Sequence, residues 1–378
     1  MFFLNLIIKE IKQQLKSIAF YIFIAIALVF YFSQYNGSVN RLVPPKQNSV
    51  YSVTKAKTED EKVVIGYKTL NALLLDEYTY RYIPISKKVK LNDETLNEVK
   101  TFLDEISSNK DVLSIKRSDI NIDYDTMINF MDSLDEELGG NTTLGEKYRS
   151  FFREMTYEEA CEEYEKLSNR SDITDGYGRL LADYLGIVAA MFSVFVCVSS
   201  ADRDKRDGVE DLVYSSNVNS VAYVLAKAIG VIISIMSVIL FIGLAECIVF
   251  LNESIKYNIP VNILPLLKYL IIWVGPTVMF VVSLCMLIMM LIQNSIISII
   301  IQVGMAFWCE NSTQLIGDYG LSKFIIRFNS IGDIDIYNSC YKYIMYNRAF
   351  YFCISLIIIA LSAVIWNIRR DKVLGRHK

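Results

Sequence analysis

The stretch Asp202-Arg203-Asp204-Lys205-Arg206-Asp207-Gly208-Val209-Glu210-Asp211-Leu212 is densely charged, yet long apolar runs flank it at Leu185–Ser199 and Val221–Leu251. Charges packed this closely do not remain in hydrocarbon, so the stretch must lie in water or against another protein. A helix needs about 20 apolar residues to cross a bilayer, and the apolar sequence on each side is long enough. The pattern therefore predicts a short charged loop between two membrane-spanning helices.

The composition of the whole chain agrees with this interpretation. Hydrophobic residues make up 53% of the 378 positions, aromatic residues make up 12%, and the mean hydropathy is +0.32. These values favour a largely membrane-embedded chain over two or three soluble domains of the same total length. The net charge of −3 combines an acidic segment, Asn36–Gly176, with a basic remainder, a distribution that does not favour binding to nucleic acid.

Histidine, a common catalytic residue and metal ligand, occurs once in the chain. His377 is the single histidine, which excludes Ser-His-Asp and Cys-His catalysis and the HExxH metal site. The run from Gly140 to Tyr148 resembles a phosphate-binding P-loop, but Lys147 is one position late and no Ser or Thr follows it. We therefore expect no ATPase site, no cofactor and no metal ion in this chain.

The apolar segments predict an α-helical polytopic membrane protein with six transmembrane helices. Residues 1–16 place apolar side chains and lysines on opposite faces, as in a helix that lies at the membrane interface. Residues 17–35 are the first span rather than a cleaved signal peptide, because bulky residues follow the apolar run. Five more spans are predicted within residues 177–368, at about 180–199, 221–251, 266–292, 295–308 and 349–368, followed by a tail at 369–378.

Residues 36–176 are numerous enough to fold as a separate domain. Their sequence predicts a mainly helical domain, α or α+β, whose acidic runs are typical of a solvated face. The helices are predicted at Leu70–Tyr80, Asn92–Ile106, Asp125–Leu138 and Thr156–Leu167. A second polar segment, Glu310–Asn347, is rich in tyrosine and is predicted to lie along the membrane interface.

Lysine and arginine in the short loops predict the orientation in the membrane. Three lysines precede the first span, three basic residues lie in the charged loop (201–219), and a basic cluster ends the chain. The short connections on the opposite side carry fewer basic residues. Both termini and the charged loop are therefore predicted to be cytoplasmic, and residues 36–176 extracellular, in the cell membrane.

This layout resembles that of ABC-2-type exporter permeases over the whole chain. In that family the second span is followed by a segment similar to R-x-G-x-x-E-x-L-x-x-S-P-V-S and then by a lysine that enters the third span. Here the segment from Arg206 to Asn219 matches this pattern loosely, and Lys227 stands at the lysine position. The sequence departs from the pattern at Asn217, where the family usually has proline.

The resemblance implies a permease subunit that carries no catalytic site of its own. Such permeases pair with a second copy or a paralogue, and each binds a separate cytoplasmic ATPase that holds ATP and Mg²⁺. It implies that the charged loop and the interfacial helix contact this ATPase. The residues that carry the contact are then Arg206, Gly208, Val209, Glu210, Asp211 and Leu212. Peptides such as bacteriocins, drugs, lipids and sodium ions all remain open as substrates.

Three acidic residues lie in or near apolar runs, and acids inside a membrane are functional candidates. They are Asp183, Glu246 and Glu310, of which Glu246 is the deepest and the first candidate for a pathway or gate residue. The competing interpretation is that each carboxylate reaches the interface or caps a helix. Gly275-Pro276 predicts a kink in the fourth span, and Cys309 and Cys340 are either a disulfide pair or two separate thiols.

Other functions remain open from the sequence. The charged loop is also consistent with a solvated segment whose charges only set the topology. The chain is then an immunity or receptor-like membrane scaffold whose extracellular domain binds a ligand. A transporter driven by an ion gradient is a third class, but it would require paired buried acids along several spans and internal repeats, and the sequence shows neither.

Overall fold

The computed structural model describes residues 2–36, 43–49, 51, 53–83, 85–107, 111–112, 114–169, 173–216, 218–312, 316, 319–332 and 334–375. The chain forms two compact units, a larger unit made of Met1–Val43 with Glu165–Lys378, and an insert unit, Pro44–Tyr164. Asn217, where the sequence departs from the family pattern, and the terminal His377 lie outside the described residues.

Most of the described residues are helical. In chain order the helices are α1 Phe2–Gln14, α2 Ile18–Phe30, α3 Glu59–Asp76, α4 Asp93–Ile106, α5 Tyr124–Glu137, α6 Tyr157–Asn169, α7 Ile173–Ala201, α8 Arg203–Arg206, α9 Glu210–Ser215, α10 Ser220–Tyr257, α11 Leu264–Tyr269, α12 Gly275–Ile292, α13 Ser295–Ser312 and α14 Ile334–Val373. The strands are β1 Val53–Lys55, β2 Tyr78–Ile83, β3 Ile85–Lys90 and β4 Phe152–Glu154. Short π-helical turns follow α2 at Tyr31–Tyr35 and α11 at Leu270–Val274.

Five helical segments of the described chain are long and apolar enough to cross a membrane. They are Ile18–Tyr35, Ile173–Ala201, Ser220–Tyr257, Leu264–Ile292 and Ile336–Val373. These segments confirm the prediction of an α-helical chain that fits a multi-pass membrane protein. The remaining predicted span, 295–308, lies in a shorter apolar helix at Ser295–Asn311 and is not among the five.

The second and the last span extend beyond their predicted ends. The second span begins at Ile173, where the buried Thr174 hydroxyl donates to the carbonyl of Asn262 at 2.5 Å. The last helix continues to Val373 and therefore includes the first residues of the predicted tail. Partners distant in sequence thus shift helix ends that hydropathy alone places elsewhere.

The fourth membrane segment is irregular just before Gly275-Pro276, where the sequence predicts a kink. Proline has no backbone N–H, so the helical bond that position 276 would normally donate is missing. The backbone forms the π-helical turn Leu270–Val274 at this place. The carbonyl of Trp273 accepts a hydrogen bond from the guanidinium of Arg348 at 2.9 Å. A side chain from α14 therefore supports the irregular backbone.

Residues 319–332, which we call the buried strap after its buried stretch 324–328, lie between α13 and α14 and have no regular structure. The Asn347 side chain donates to the carbonyls of Gly320 and Lys323, each at 2.8 Å. Irregular backbone is tolerated among membrane helices where other protein groups satisfy its hydrogen bonds. These bonds hold the strap against α14, whereas the sequence predicts a segment over Glu310–Asn347 that lies along the membrane interface.

The insert unit has its own apolar core between α3, α4 and α5. Its buried side chains include Val63, Leu70, Val99, Leu103, Met127, Met131 and Leu134. Two antiparallel strand pairs, β1 with β4 and β2 with β3, complete it. The prediction of one helix over Leu70–Tyr80 is wrong for its second half. Helix α3 ends at Asp76, Glu77 adopts a left-handed conformation (φ 58°), and Tyr78 begins a strand.

Candidate functional site

The charged loop continues directly from α7 as two short helices, α8 and α9, joined at Gly208. Gly208 has φ +69°, a left-handed conformation that glycine adopts without the steric cost of a side chain. The N–H of Gly208 donates to the carbonyl of Lys205 at 3.1 Å, and the N–H of Val209 donates to that of Asp204 at 2.9 Å. These bonds end α8 and turn the chain into α9.

Helix α1 is attached to the start of the loop through the carboxylate of Glu10. This buried carboxylate accepts from Arg203 Nη1 at 3.1 Å and from the Ser200 hydroxyl at 2.6 Å. The Gln14 amide donates to the same oxygen at 2.7 Å. Burial alone would raise the pKa of Glu10, but the bond with Arg203 and the charge of Lys227 hold that pKa below its ordinary value. Glu10 is therefore ionised at neutral pH.

Close packing against α10 makes this attachment possible. A Cβ atom placed on Gly230 would lie only 2.6 Å from Cβ and Cγ of Glu10. Small residues at helix contacts let two helices approach closely, which brings the Glu10 carboxylate within reach of the loop. The glycine on α10 and the acid on α1 thus form one contact.

A second ion pair links the loop to α10. The buried ammonium group of Lys227 donates to Asp204 Oδ2 at 2.6 Å and to the Tyr223 hydroxyl at 3.1 Å. The Tyr223 hydroxyl also donates to Asp204. Burial would raise the pKa of Asp204, but the charge and hydrogen bond of Lys227 lower it. Lys227, which the sequence places at the entrance of the third span, is therefore fixed to the loop.

Helix α14 holds the far end of the loop. The Arg370 guanidinium donates to three loop carbonyls, those of Tyr214 at 3.1 Å, Ser216 at 3.0 Å and Val218 at 2.8 Å. The ring of Trp366, one turn earlier on α14, packs against the Tyr214 ring at a centroid distance of 5.3 Å. Elements on three sides, α1, α10 and α14, thus fix the charged loop to the helices.

The six predicted coupling residues divide into an outward and an inward group. Arg206, Asp211 and Leu212 are exposed, and Leu212 is 69% exposed although it is apolar. Val209 and Glu210 are half-buried, and Glu210 accepts a hydrogen bond from the buried Tyr214 hydroxyl at 3.0 Å. Burial and the Glu210 carboxylate both raise the pKa of Tyr214. The outward group offers a contact surface, while the inward group and Gly208 maintain the shape of the loop.

Two of the three predicted buried acids meet at one arginine. Asp183 Oδ1 accepts from Arg327 Nε at 2.9 Å and from the backbone N–H of Phe328 at 2.7 Å. Nη1 of the same Arg327 forms an ion pair with Glu310 Oε1. Asp183 is fully buried and Arg327 is 5% exposed. The acids of α7 and α13 therefore share a cation that comes from the buried strap.

The third predicted acid, Glu246, has different neighbours. Its carboxylate accepts from the hydroxyls of Tyr31 at 2.5 Å and Tyr35 at 3.1 Å, both in the π-helical turn after α2. Glu246 is fully buried. π-Helical turns inside helices are often found at functional sites. The contact ties α10 to the first span.

Two further sequence features have a simple structural account. Cys309 is buried, Cys340 is half-buried, and the two do not form a disulfide.

In the run that resembles a P-loop, the Asp135 carboxylate accepts from the N–H and the hydroxyl of Thr142, each at 2.6 Å. A Cβ atom on Gly145 would lie 2.2 Å from this carboxylate. An acidic side chain therefore occupies the place that a phosphate would take in a P-loop.

The roles of several residues in these sites cannot be predicted from the sequence alone. Glu10, Arg370 and Arg327 each bond with a residue more than 140 positions away. A weak signal exists for Glu10, which is the single acid among the first 16 residues. Arg327 and Arg370 carry no such signal.

No protein-family model, no curated protein and no solved structure matches the chain. The arguments about its function therefore rest on the sequence and on the geometry of the described residues.

Proposed function

We propose that this chain is the transmembrane permease subunit of an ATP-driven ABC-2-type exporter, and that the charged loop docks on a separate ATPase subunit. The supporting observation is the three-sided attachment of the loop through Glu10, Lys227 and Arg370. Its outward face carries the exposed apolar Leu212 together with the exposed charged residues Arg206 and Asp211. Exposed apolar and charged side chains together are a common form of protein contact surface.

The attachments explain how such a contact would act on the spans. ATPase subunits that close on ATP do not cross the membrane, so their movement has to reach the spans through a connecting element. Glu10 with Arg203, and Lys227 with Asp204, are ion pairs in which Glu10 and Lys227 are buried and their partners half-buried, so removing a partner leaves a buried charge uncompensated. A loop held this firmly moves together with the helices that hold it.

We infer six crossings of the membrane, with α13 as the fifth. The carbonyl of Gln293, at the end of α12, accepts from Lys205 at 3.5 Å and so lies at the charged loop. Glu310, near the end of α13, lies at the buried strap. Helix α14 starts after the strap and reaches the loop again at Arg370. We therefore infer that helix α13 runs from the end of the helices at the charged loop to the end at the buried strap. Its 18 residues span about 27 Å.

The same contacts support the proposed orientation. Glu10 of α1 and Arg370 of α14 both bond with the charged loop, so the two ends of the chain lie on one side of the helices. The lysine and arginine distribution assigns this side to the cytoplasm. The first span starts there and ends at Tyr35, so the insert that follows is assigned to the extracellular side of the cell membrane.

The remaining parts of the proposal follow from the exporter layout. Such a subunit pairs with a second copy or a paralogue, and the ATPase supplies ATP and Mg²⁺. Asp183 and Glu310, together at Arg327, and Glu246, at the first span, are the candidate gate or pathway residues. Peptides, drugs, lipids and ions all remain possible substrates.

Purification of the tagged full chain from its own membranes tests the proposal. We expect a second protein with a Walker A motif to copurify and to hydrolyse ATP. The substitution Leu212→Glu places a charge on the outward face of the loop and should reduce the copurified ATPase at least tenfold. Leu75→Glu is the matched control, because Leu75 is 83% exposed on the insert unit and should tolerate a charge.

Two outcomes would argue against the exporter. If no ATPase copurifies, or if Leu212→Glu leaves its amount unchanged, the charged loop is not a docking site. If residues 36–176 then bind a ligand while the rest of the chain only anchors them, the immunity or receptor-like scaffold becomes the better description.

A further inference from the structure

We propose that Asp183, Arg327 and Glu310 form a buried site for one exchangeable monovalent cation, a proton or Na⁺. The site lies among the helices and the buried strap, apart from the charged loop. It rests on the contacts of these three residues and does not depend on a partner ATPase.

Asp183 and Arg327 are buried within the protein, and Glu310 is half-buried beside them. The Asp183 carboxylate has no exposed surface, and Arg327 is 5% exposed. Asp183 approaches Arg327 at Nε, with a distance of 2.9 Å, and Glu310 approaches it at Nη1. The backbone N–H of Phe328 donates to the same Asp183 oxygen as Arg327, at 2.7 Å. One oxygen of each carboxylate is thus fixed.

The other oxygen of each carboxylate carries the inference. Asp183 Oδ2 and Glu310 Oε2 are inaccessible to solvent and accept no hydrogen bond from any of the described residues. A buried carboxylate oxygen without a donor is unstable, because it has lost its hydration and gained nothing in return. Two such atoms beside one arginine indicate that a further positive group belongs to this place.

The charges of the three residues determine the charge that this further group must carry. An arginine stays protonated in proteins, so Arg327 contributes one positive charge, while the two carboxylates contribute two negative charges. A single additional positive charge balances the cluster, and a divalent ion would exceed it. A proton on one carboxyl supplies that charge, and so does Na⁺, a hard cation that carboxylate oxygens bind.

Three other cations on the surrounding elements have partners of their own. Arg179 on α7 donates to Asp175 at 2.6 Å, and Lys268 on α11 lies 3.8 Å from the same carboxylate. Arg348 on α14 donates to Asn347 Oδ1 at 3.0 Å and to the Thr277 hydroxyl at 2.8 Å. Helix α12 carries no charged residue between Gly275 and Ile292. The strap's Tyr319 hydroxyl donates to the Arg327 carbonyl at 3.2 Å.

Infrared difference spectroscopy of the purified full chain in lipid nanodiscs tests the site. The spectra compare low with high pH in choline chloride, and then NaCl with choline chloride at constant pH. A bound proton predicts a buried protonated-carboxyl C=O band that is lost at high pH and is unaffected by Na⁺. Bound Na⁺ predicts no such band, but saturable binding of ²²Na⁺ with about one ion per chain.

Variants connect either signal to these residues. Asp183→Asn should abolish the band or the ²²Na⁺ binding, and Glu310→Gln should do the same or shift the half-saturation point at least tenfold. Glu158→Gln is the control, because Glu158 is an exposed acid of the insert unit and should leave both signals unchanged. The wild-type spectra are informative even if a variant fails to fold.

The proposal is wrong if the wild-type chain shows neither a protonated-carboxyl band nor ²²Na⁺ binding, since both acids are then ionised with water as their remaining partner. It is also wrong if a signal is present but survives in folded Asp183→Asn and Glu310→Gln.

Discussion

The buried carboxylate of Glu10 and the half-buried guanidinium of Arg203, 193 residues apart in sequence, form an ion pair with an Nη1–Oε1 distance of 3.1 Å. The pair connects the amphipathic first helix to the first turn of the charged loop. The helix and the loop are therefore one structural element, and a structural change in either should also change the other.

This ion pair predicts a pH dependence of stability. The pKa of Glu10 in the folded chain lies below its ordinary value of 4.5, so the pair stabilises the fold fully above pH 4.5. The contribution is lost as the pH falls through the lowered pKa. Glu10→Gln should therefore reduce the melting temperature at pH 7 and differ less from wild type below pH 4.5. Thermal unfolding in detergent, followed by circular dichroism or tryptophan fluorescence, measures this difference at both pH values.

Lys12→Gln is the control for this experiment, because Lys12 is exposed on the same helix and should change stability little at either pH. Asp204 has a lowered pKa as well, so its pair with Lys227 should weaken in the same direction. A deficit in Glu10→Gln that stays constant from pH 7 to below pH 4 would contradict the predicted linkage.

The contact between α1 and α10 predicts that Gly230→Ala is destabilising. Its new methyl group would lie 2.6 Å from the Glu10 side chain, so α1 has to move outward. Overpacking of this kind costs about 1–3 kcal/mol. Gly186→Ala on α7 is the matched control, because no atom lies within 4 Å of its new Cβ. We expect the melting temperature to fall in the first variant and to stay the same or rise in the second.

Arg370 predicts the accessibility of the charged loop to protease. Replacing it with glutamine removes hydrogen bonds to three loop carbonyls and should cost about 2 kcal/mol locally, which corresponds to roughly 30-fold more opening. Limited trypsin digestion at Arg206, followed by mass spectrometry, measures this opening. Arg369→Gln should have a smaller effect, because Arg369 makes one long bond, at 3.4 Å, to the Leu291 carbonyl. Equal cleavage rates in the two variants would mean that Arg370 does not hold the loop.

The loop around Gly145 predicts that the chain by itself does not bind nucleotide. Asp135 already accepts the Thr142 N–H and hydroxyl there, and its negative charge would repel a phosphate. We expect no saturable binding of a fluorescent ATP analogue to the purified chain, and no effect of Lys147→Ala on ATP hydrolysis by the copurified complex. ATP binding that disappears in Lys147→Ala would place a nucleotide site in this chain after all.

Hydropathy was a good guide to the helices and a weaker guide to their ends. Apolar runs about 20 residues long leave few alternatives to a spanning helix, and five such segments are present. The amphipathic pattern at Asn92–Ile106 also matches α4, which begins after Asn92 caps it by accepting from the Thr95 N–H at 2.7 Å. The same reasoning fails at Tyr78–Ile83, because alternating tyrosines there suit a strand that pairs with β3.

The sites were predicted only in part, because a sequence gives the type of a residue but not its partner. The charged loop and the acids Asp183, Glu246 and Glu310 can be recognised in the sequence as charges in apolar surroundings. That Asp183 and Glu310 share Arg327 depends on how the strap folds between α13 and α14. Contacts between residues so far apart arise from tertiary packing, which no local pattern encodes.

Helix α14 has 40 residues and is therefore about 60 Å long. It begins just after the strap that supplies Arg327 and ends at the carbonyls held by Arg370. Because it runs as one uninterrupted helix, it connects the charged loop at one end with the strap that carries Arg327 at the other. A tilt of a few degrees at the loop would displace the opposite end, next to the strap, by several ångströms.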